Sequence, residues 1–130
     1  MRLGVVTVFA IAALAAAGAA AAGGYTFGRV GGNIRPYTVT ISPGGLVRTS
    51  GAVSVGRKQL TAAQLASLSG VAASVKFATL PQTTNCTGTL PDIAATYVRV
   101  GTHTVRVRGN CLPRYARMWK ALTAAVHISG

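Results

Sequence analysis

The stretch Ile93-Ala94-Ala95-Thr96-Tyr97-Val98-Arg99-Val100-Gly101-Thr102-His103-Thr104-Val105-Arg106-Val107-Arg108 decides how this chain is read. On both sides of Gly101-Thr102, valines alternate with polar or charged residues, the two-residue period of a strand with one buried face. Gly101-Thr102 itself has the length and the glycine of a tight hairpin turn. A turn there pairs Val98 with Val105 and Tyr97 with Arg106. Cross-strand partners share a face. Val98, Val100, Val105 and Val107 therefore line one side, and Tyr97, Arg99, Arg106 and Arg108 line the other. The pattern predicts a hairpin over Ile93–Val100 and His103–Arg108 whose valine side is covered by apolar structure.

The flanking segments supply the cover. After the hairpin, Gly109-Asn110-Cys111-Leu112-Pro113 turns the chain, and Pro113 suits the first turn of a helix. Tyr115, Met118, Trp119, Leu122 and Val126 then recur at helical spacing, flanked by Arg114, Arg117 and Lys120. Before the hairpin, residues 82–91 form a polar loop containing Cys86, preceded by the apolar anchors Phe77 and Leu80. Residues 60–75 read as another helix. Thr61 and Gln64 have capping-box spacing, with Leu60 and Leu65 placed as a hydrophobic staple. Leu65, Leu68, Ala72 and Val75 make its stripe, and Gly70, which costs it about 1 kcal/mol relative to Ala, is the candidate for an early end. Further back, Tyr37-Thr38-Val39-Thr40-Ile41 and Leu46-Val47-Arg48-Thr49 flank the breaker Ser42-Pro43-Gly44-Gly45 as a second hairpin, with Tyr25–Val30 as a third strand. Gly51 to Lys58 reads as a short edge strand or as loop. The order predicts an α+β domain: an antiparallel sheet of four or five strands, two helices on one face, and one disulfide.

A chain of 130 residues fits one domain, here expected over residues 23–130. Residues 1–22 have the grammar of a secretory signal: Met1-Arg2, an uncharged Leu/Val/Ala run from Leu3, and the small residues Ala20-Ala21-Ala22. The alternative for the same run is a retained anchor. Cleavage is the expectation, because the run is rich in Ala and ends in small residues. It leaves an exported protein in the secretome or cell envelope, with no membrane contact of its own.

Export makes Cys86 and Cys111, the two cysteines present, a disulfide. Closing that loop is worth about 3.5 kcal/mol in the chain-entropy account. Catalytic chemistry is hard to build from what remains. Asp92 is the one acidic residue, which eliminates paired-carboxylate mechanisms and calcium loops. His103 and His127 are far apart in sequence, and the cysteines match no zinc spacing. No nucleophile-elbow sequence surrounds a serine. Gly28, Gly31 and Gly32 lack phosphate-loop spacing and are expected in turns. Asp92 is expected to pair with an arginine or to cap the loop after Pro91. Asn85-Cys86-Thr87 fits a glycosylation acceptor, but a bridged cysteine at its centre makes it a poor one. The expectation is a protein without cofactor, metal site or catalytic residues.

The chemical signal is charge. Thirteen Lys and Arg against one acid give a formal +12, more than solubility requires and costly in self-repulsion. Arg99, Arg106 and Arg108, with Tyr97 among them, are the candidate contact for phosphate, sulfate or carboxylate groups. Arg114, Arg117 and Lys120 on the last helix are the fallback. No nucleic-acid motif is present and export argues against that partner. An acidic protein partner or an anionic cell-envelope polymer is expected instead.

Several of these features occur together in an order met elsewhere. Gly31-Gly32 ahead of Tyr37–Ile41, a helix running into Phe77-Ala78-Thr79-Leu80-Pro81, Asp92 ahead of Tyr97-Val98-Arg99-Val100, and a closing helix resemble the emfourin family. The layout is also similar to that of small secreted bacterial domains. Emfourins are small bacterial proteins that inhibit thermolysin-type metalloproteases. The resemblance spans most of residues 25–126 and implies inhibition by surface docking. The cysteine pair and the near absence of acids depart from that pattern, so no binding residue is carried over. The sequence thus predicts a secreted, non-catalytic binding protein, with protease inhibition as the activity the resemblance implies. The alternative is a basic envelope-associated structural protein held by anionic polymers.

Overall fold

The alternation around Gly101 does form the expected hairpin, and the rest of the chain organises on its valine face. A computed structural model describes residues 24–129; the expected leader, residues 1–22, lies outside them. In chain order the elements are β1 (Tyr25–Val30), β2 (Tyr37–Ile41), β3 (Val47–Gly51), β4 (Ser54–Val55) and α1 (Ala62–Ser74). A 3-10 turn (Phe77–Thr79) follows, then β5 (Thr83–Asn85), β6 (Ala95–Val100), β7 (His103–Arg108), α2 (Pro113–Val126) and β8 (Ile128–Ser129). Val98 pairs with Val105 and Tyr97 with Arg106, the register set by the two-residue turn.

The domain is α+β with two helices, as expected, but its sheet is not the antiparallel one of four or five strands. It is a mixed sheet of six, in the order β3-β2-β1-β6-β7-β5. β1 lies at the centre, with Tyr25 opposite Ile41 on one side and Val100 on the other. The unexpected strand is β5, inside the polar loop, which runs parallel to β7. Thr83-Thr84-Asn85 has no apolar alternation, so no periodicity marks it as a strand. Backbone pairing and a covalent tie hold it. Arg106 N–H donates to Gln82 C=O at 2.8 Å and Cys86 N–H to Arg108 C=O at 2.9 Å. Cys86 is bonded to Cys111 just beyond β7, with Cα atoms 5.7 Å apart. Gly109 makes that approach possible. Its φ of +97° is left-handed, and a Cβ there would stand 2.7 Å from Cys86 Cβ. The ambiguous segment before α1 contains β4, which pairs with β8 as a separate two-stranded ribbon. Two residues per strand are too few to carry a pattern.

One face of the large sheet is the core. Tyr25, Phe27, Val39, Ile41, Val98, Val105 and Val107 cluster with Leu68 and Ala72 of α1 and with Tyr115, Met118, Leu122 and Val126 of α2. Each fully buried aliphatic side chain there is worth about 1.5–3 kcal/mol. Phe27 meets Trp119 edge-on, ring centroids 5.6 Å apart. Tyr115 Oη and Thr96 Oγ1 share a hydrogen bond of 2.7 Å, satisfying a buried phenol. α1 begins as its capping box dictates: Gln64 N–H donates to Thr61 Oγ1 at 3.1 Å and Thr61 N–H to Gln64 Oε1 at 2.8 Å. Gly70 does not end the helix; it is exposed and the helix continues to Ser74. Among the described residues no helix is long and apolar enough to cross a membrane.

A candidate anion-binding face on the helix-free side

Register carries the hairpin's outer face across the whole sheet. Pairing partners share a face, so one transverse row runs Ser50, Thr38, Gly28, Tyr97, Arg106, Thr83, from β3 to β5. The neighbouring row runs Arg48, Thr40, Thr26, Arg99, Thr104. A third brings Val30, Ala95, Arg108 and Asn85 together. Both helices pack on the opposite face, and Thr40, Arg48, Ser50, Arg99, Thr104, Arg106 and Thr83 are exposed. The face is a table of guanidinium and hydroxyl groups with no carboxylate in any row.

The four residues expected as the contact all lie on this face, in different states. Arg99 Nε donates to Gly101 C=O at 2.9 Å, which fixes its guanidinium at the hairpin turn. Arg108 is half-buried; its Nη1 reaches Pro91 C=O at 3.5 Å and its Nε is buried without a partner. Arg106 is exposed and makes no side-chain hydrogen bond among the described residues. Tyr97 reaches across β1, its Oη 2.5 Å from Thr38 Oγ1 on β2. Gly28 lies beneath it, and a Cβ there would come 2.9 Å from that Oη. Reasoning from the hairpin alone misses Arg48 and the hydroxyls of β1, β2, β3 and β5. The threonines of Tyr37-Thr38-Val39-Thr40-Ile41 mark an outer face, but nothing in the sequence says it adjoins that of Tyr97.

Two of the three fallback cations on α2 are engaged with the structure, whereas Lys120 is exposed and its ammonium makes no hydrogen bond among the described residues. Arg114 Nη2 donates to Thr79 Oγ1 at 3.1 Å and Arg117 Nη2 to Ser74 Oγ at 3.3 Å, linking α2 to the 3-10 turn and to the end of α1. His103 Nε2 lies 2.9 Å from Leu80 C=O and its ring meets Phe77 edge-on. His127 ends α2 in the left-handed conformation. Among the described residues no three His, Cys, Asp or Glu side chains gather as a metal site.

Asp92 differs from expectation. Its carboxylate accepts from Asn33 Nδ2 at 3.4 Å, and its backbone C=O accepts from Asn33 N–H at 3.3 Å. An amide, not an arginine, is the partner, because the residue's backbone is already docked on the 31–36 loop. The joined loops border a cleft of about 550 Å³ lined by Arg29, Ile34, Leu90 and Ile93 among others. Leu90 is 63% exposed and Ile93 42%.

No protein-family model, curated protein or solved structure matches this chain.

Proposed function

We propose that this is a secreted, non-catalytic binding protein that attaches through the helix-free face of its sheet to an anionic cell-envelope polymer. One observation carries the reading: register places Arg48, Arg99 and Arg106 among hydroxyls on one uncovered face with no acidic residue in its rows. Cations displayed on a rigid sheet attract a polyanion, and neighbouring hydroxyls offer hydrogen bonds to its sugar or phosphate groups. The anion relieves repulsion that the chain otherwise carries. Binding to isolated cell wall, measured across a salt titration, tests the proposal. Attachment should weaken steeply as ionic strength rises, and should be lost when Arg48, Arg99 and Arg106 are changed together to Ser. Attachment insensitive to both would remove the reading.

A second reading, protease inhibition, is favoured by the joined loops. Leu90 and Ile93 stand exposed on a segment held to the 31–36 loop through Asn33 and Asp92, the kind of pre-ordered apolar protrusion an inhibitor presents. Undiminished proteolysis by thermolysin-type enzymes at micromolar protein would remove this reading.

A further inference from the structure

We infer that the ring of Tyr97 is a stacking platform, and that the polymer this face takes is an acidic polysaccharide rather than an acyclic polyanion. The inference rests on the proposed function and names its ligand class. The phenol leaves β6, crosses β1 and meets Thr38 on β2. The two ends of that path lie two strand spacings apart, about 9–10 Å, a gap that the phenol and the Thr38 hydroxyl close between them only if the ring lies along the sheet. Gly28, the residue it crosses, has no side chain to lift it. One face of the ring therefore rests on β1 and the other points away from the helices. The hydrogen bond to Thr38 holds the ring in place before any ligand arrives, so little rotamer freedom is lost on binding.

The surroundings say what should lie on the ring. Arg106 is the direct cross-strand partner of Tyr97, and Arg99 follows two residues along β6 on the same face. Thr26, Thr40 and Thr104 occupy the adjoining row. An apolar ring face bordered by cations and hydroxyls complements a sugar ring: flat C–H bonds on the tyrosine, carboxylate or sulfate toward arginine, ring hydroxyls toward threonine. Single-stranded nucleic acid also stacks on aromatics beside cations, but its platforms seat successive bases on successive rings. Tyr97 is the one aromatic in these rows, whereas hydroxyls are many.

The test compares polygalacturonate, one carboxylate per sugar ring, with poly-L-glutamate, one carboxylate per acyclic unit, at equal charge and ionic strength. The expected result is tighter binding of polygalacturonate, on the order of tenfold. Tyr97→Leu should erase that preference, bringing polygalacturonate affinity down to that for poly-L-glutamate. Tyr97→Phe, which keeps the ring, should retain it. Because Tyr97→Leu also removes the bond to Thr38, a measurement on the unaltered protein runs beside it: galacturonate ring protons should shift upfield in NMR spectra, as aromatic stacking requires. Equal affinity for both polymers, or no upfield shift, overturns the inference and leaves the charge-based reading standing. Tighter binding of a single-stranded oligonucleotide of equal charge than of polygalacturonate also overturns it. Binding of neither polymer overturns the proposed function itself.

Discussion

The β6–β7 hairpin has two faces made of the same residues in alternation, and they carry different burdens. On the inner face Val98, Val105 and Val107 are buried against the helices. On the outer face Arg99, Thr104 and Arg106 are exposed with no element over them. Neighbouring residues along one strand thus belong to separate problems: one holds the fold, the other sets what the fold meets. The difference also explains how a chain with thirteen cations folds at all, for the alternation keeps charge out of the packed layer.

The largest expected effect comes from crossing that division. Val98→Asp places a carboxylate in an apolar layer where it has no partner, in a domain whose total stability is about 5–15 kcal/mol. The expected outcome is loss of the cooperative melt in circular dichroism. A variant that melts normally would show that the inner face is not the core described here.

Next is the covalent tie that keeps β5 on the edge of both faces. Replacing Cys86 and Cys111 with Ser, or reducing the bridge, should lower stability by about 3.5 kcal/mol and the melting temperature by on the order of 15 °C. Intact mass should rise by two hydrogens on reduction. Amide exchange should accelerate first in β5 and its partner β7, since no apolar alternation holds Thr83–Asn85 in place once the bridge is gone.

These two experiments probe what was and was not legible in the sequence. The hairpin register, the capping box at Thr61 and the stripe of α2 follow from period and spacing, because each reflects burial repeated over several residues. β5 and the pairing of β4 with β8 were not legible, although a short strand was one reading of the segment that holds β4. Three polar residues, or two, carry no periodic signal, and partners far along the chain decide them. The candidate site divides the same way. Tyr97, Arg99, Arg106 and Arg108 follow from local alternation. Adding Arg48 and the hydroxyl rows needs the strand order, with β1 between β2 and β6, which one sequence does not encode locally.

A smaller effect separates the inner face from solvent by pH. Burial pushes Tyr115 up to about 12 from its ordinary 10.0, outweighing the bond to Thr96 that favours ionisation. Burial also raises Tyr25, whose Oη is buried without a partner. A raised folded-state value means the phenol stays neutral in the native protein while the unfolded chain ionises. Its contribution is complete below pH 10 and is lost as pH climbs from 10 toward 12. For Tyr115 that amounts to about 3 kcal/mol. Denaturant midpoints measured from pH 8 to 12 should be flat to pH 10 and then fall. Thr96→Val deprives the phenol of its partner and should lower the plateau itself by about 1 kcal/mol.

The smallest effect on stability is expected where the largest effect on binding is. Arg48, Arg99 and Arg106 are exposed, and among the described residues only Arg99 of the three makes a side-chain hydrogen bond, to the turn at Gly101. Changing all three to Ser should move stability by no more than about 0.5 kcal/mol per site. The direction is favourable, because three mutually repelling charges disappear from one face. The gain should shrink as salt is added, since screening already suppresses repulsion between exposed charges. Melting curves at low and high salt check both points. Arg108 is the internal control. It is half-buried, reaches Pro91 and has its Nε shielded from solvent, so Arg108→Ser alone should cost more stability than the other three combined. If Arg48, Arg99 and Arg106 proved as costly as Arg108, the outer face would be part of the scaffold, and the separation between the two sides of the hairpin would fail.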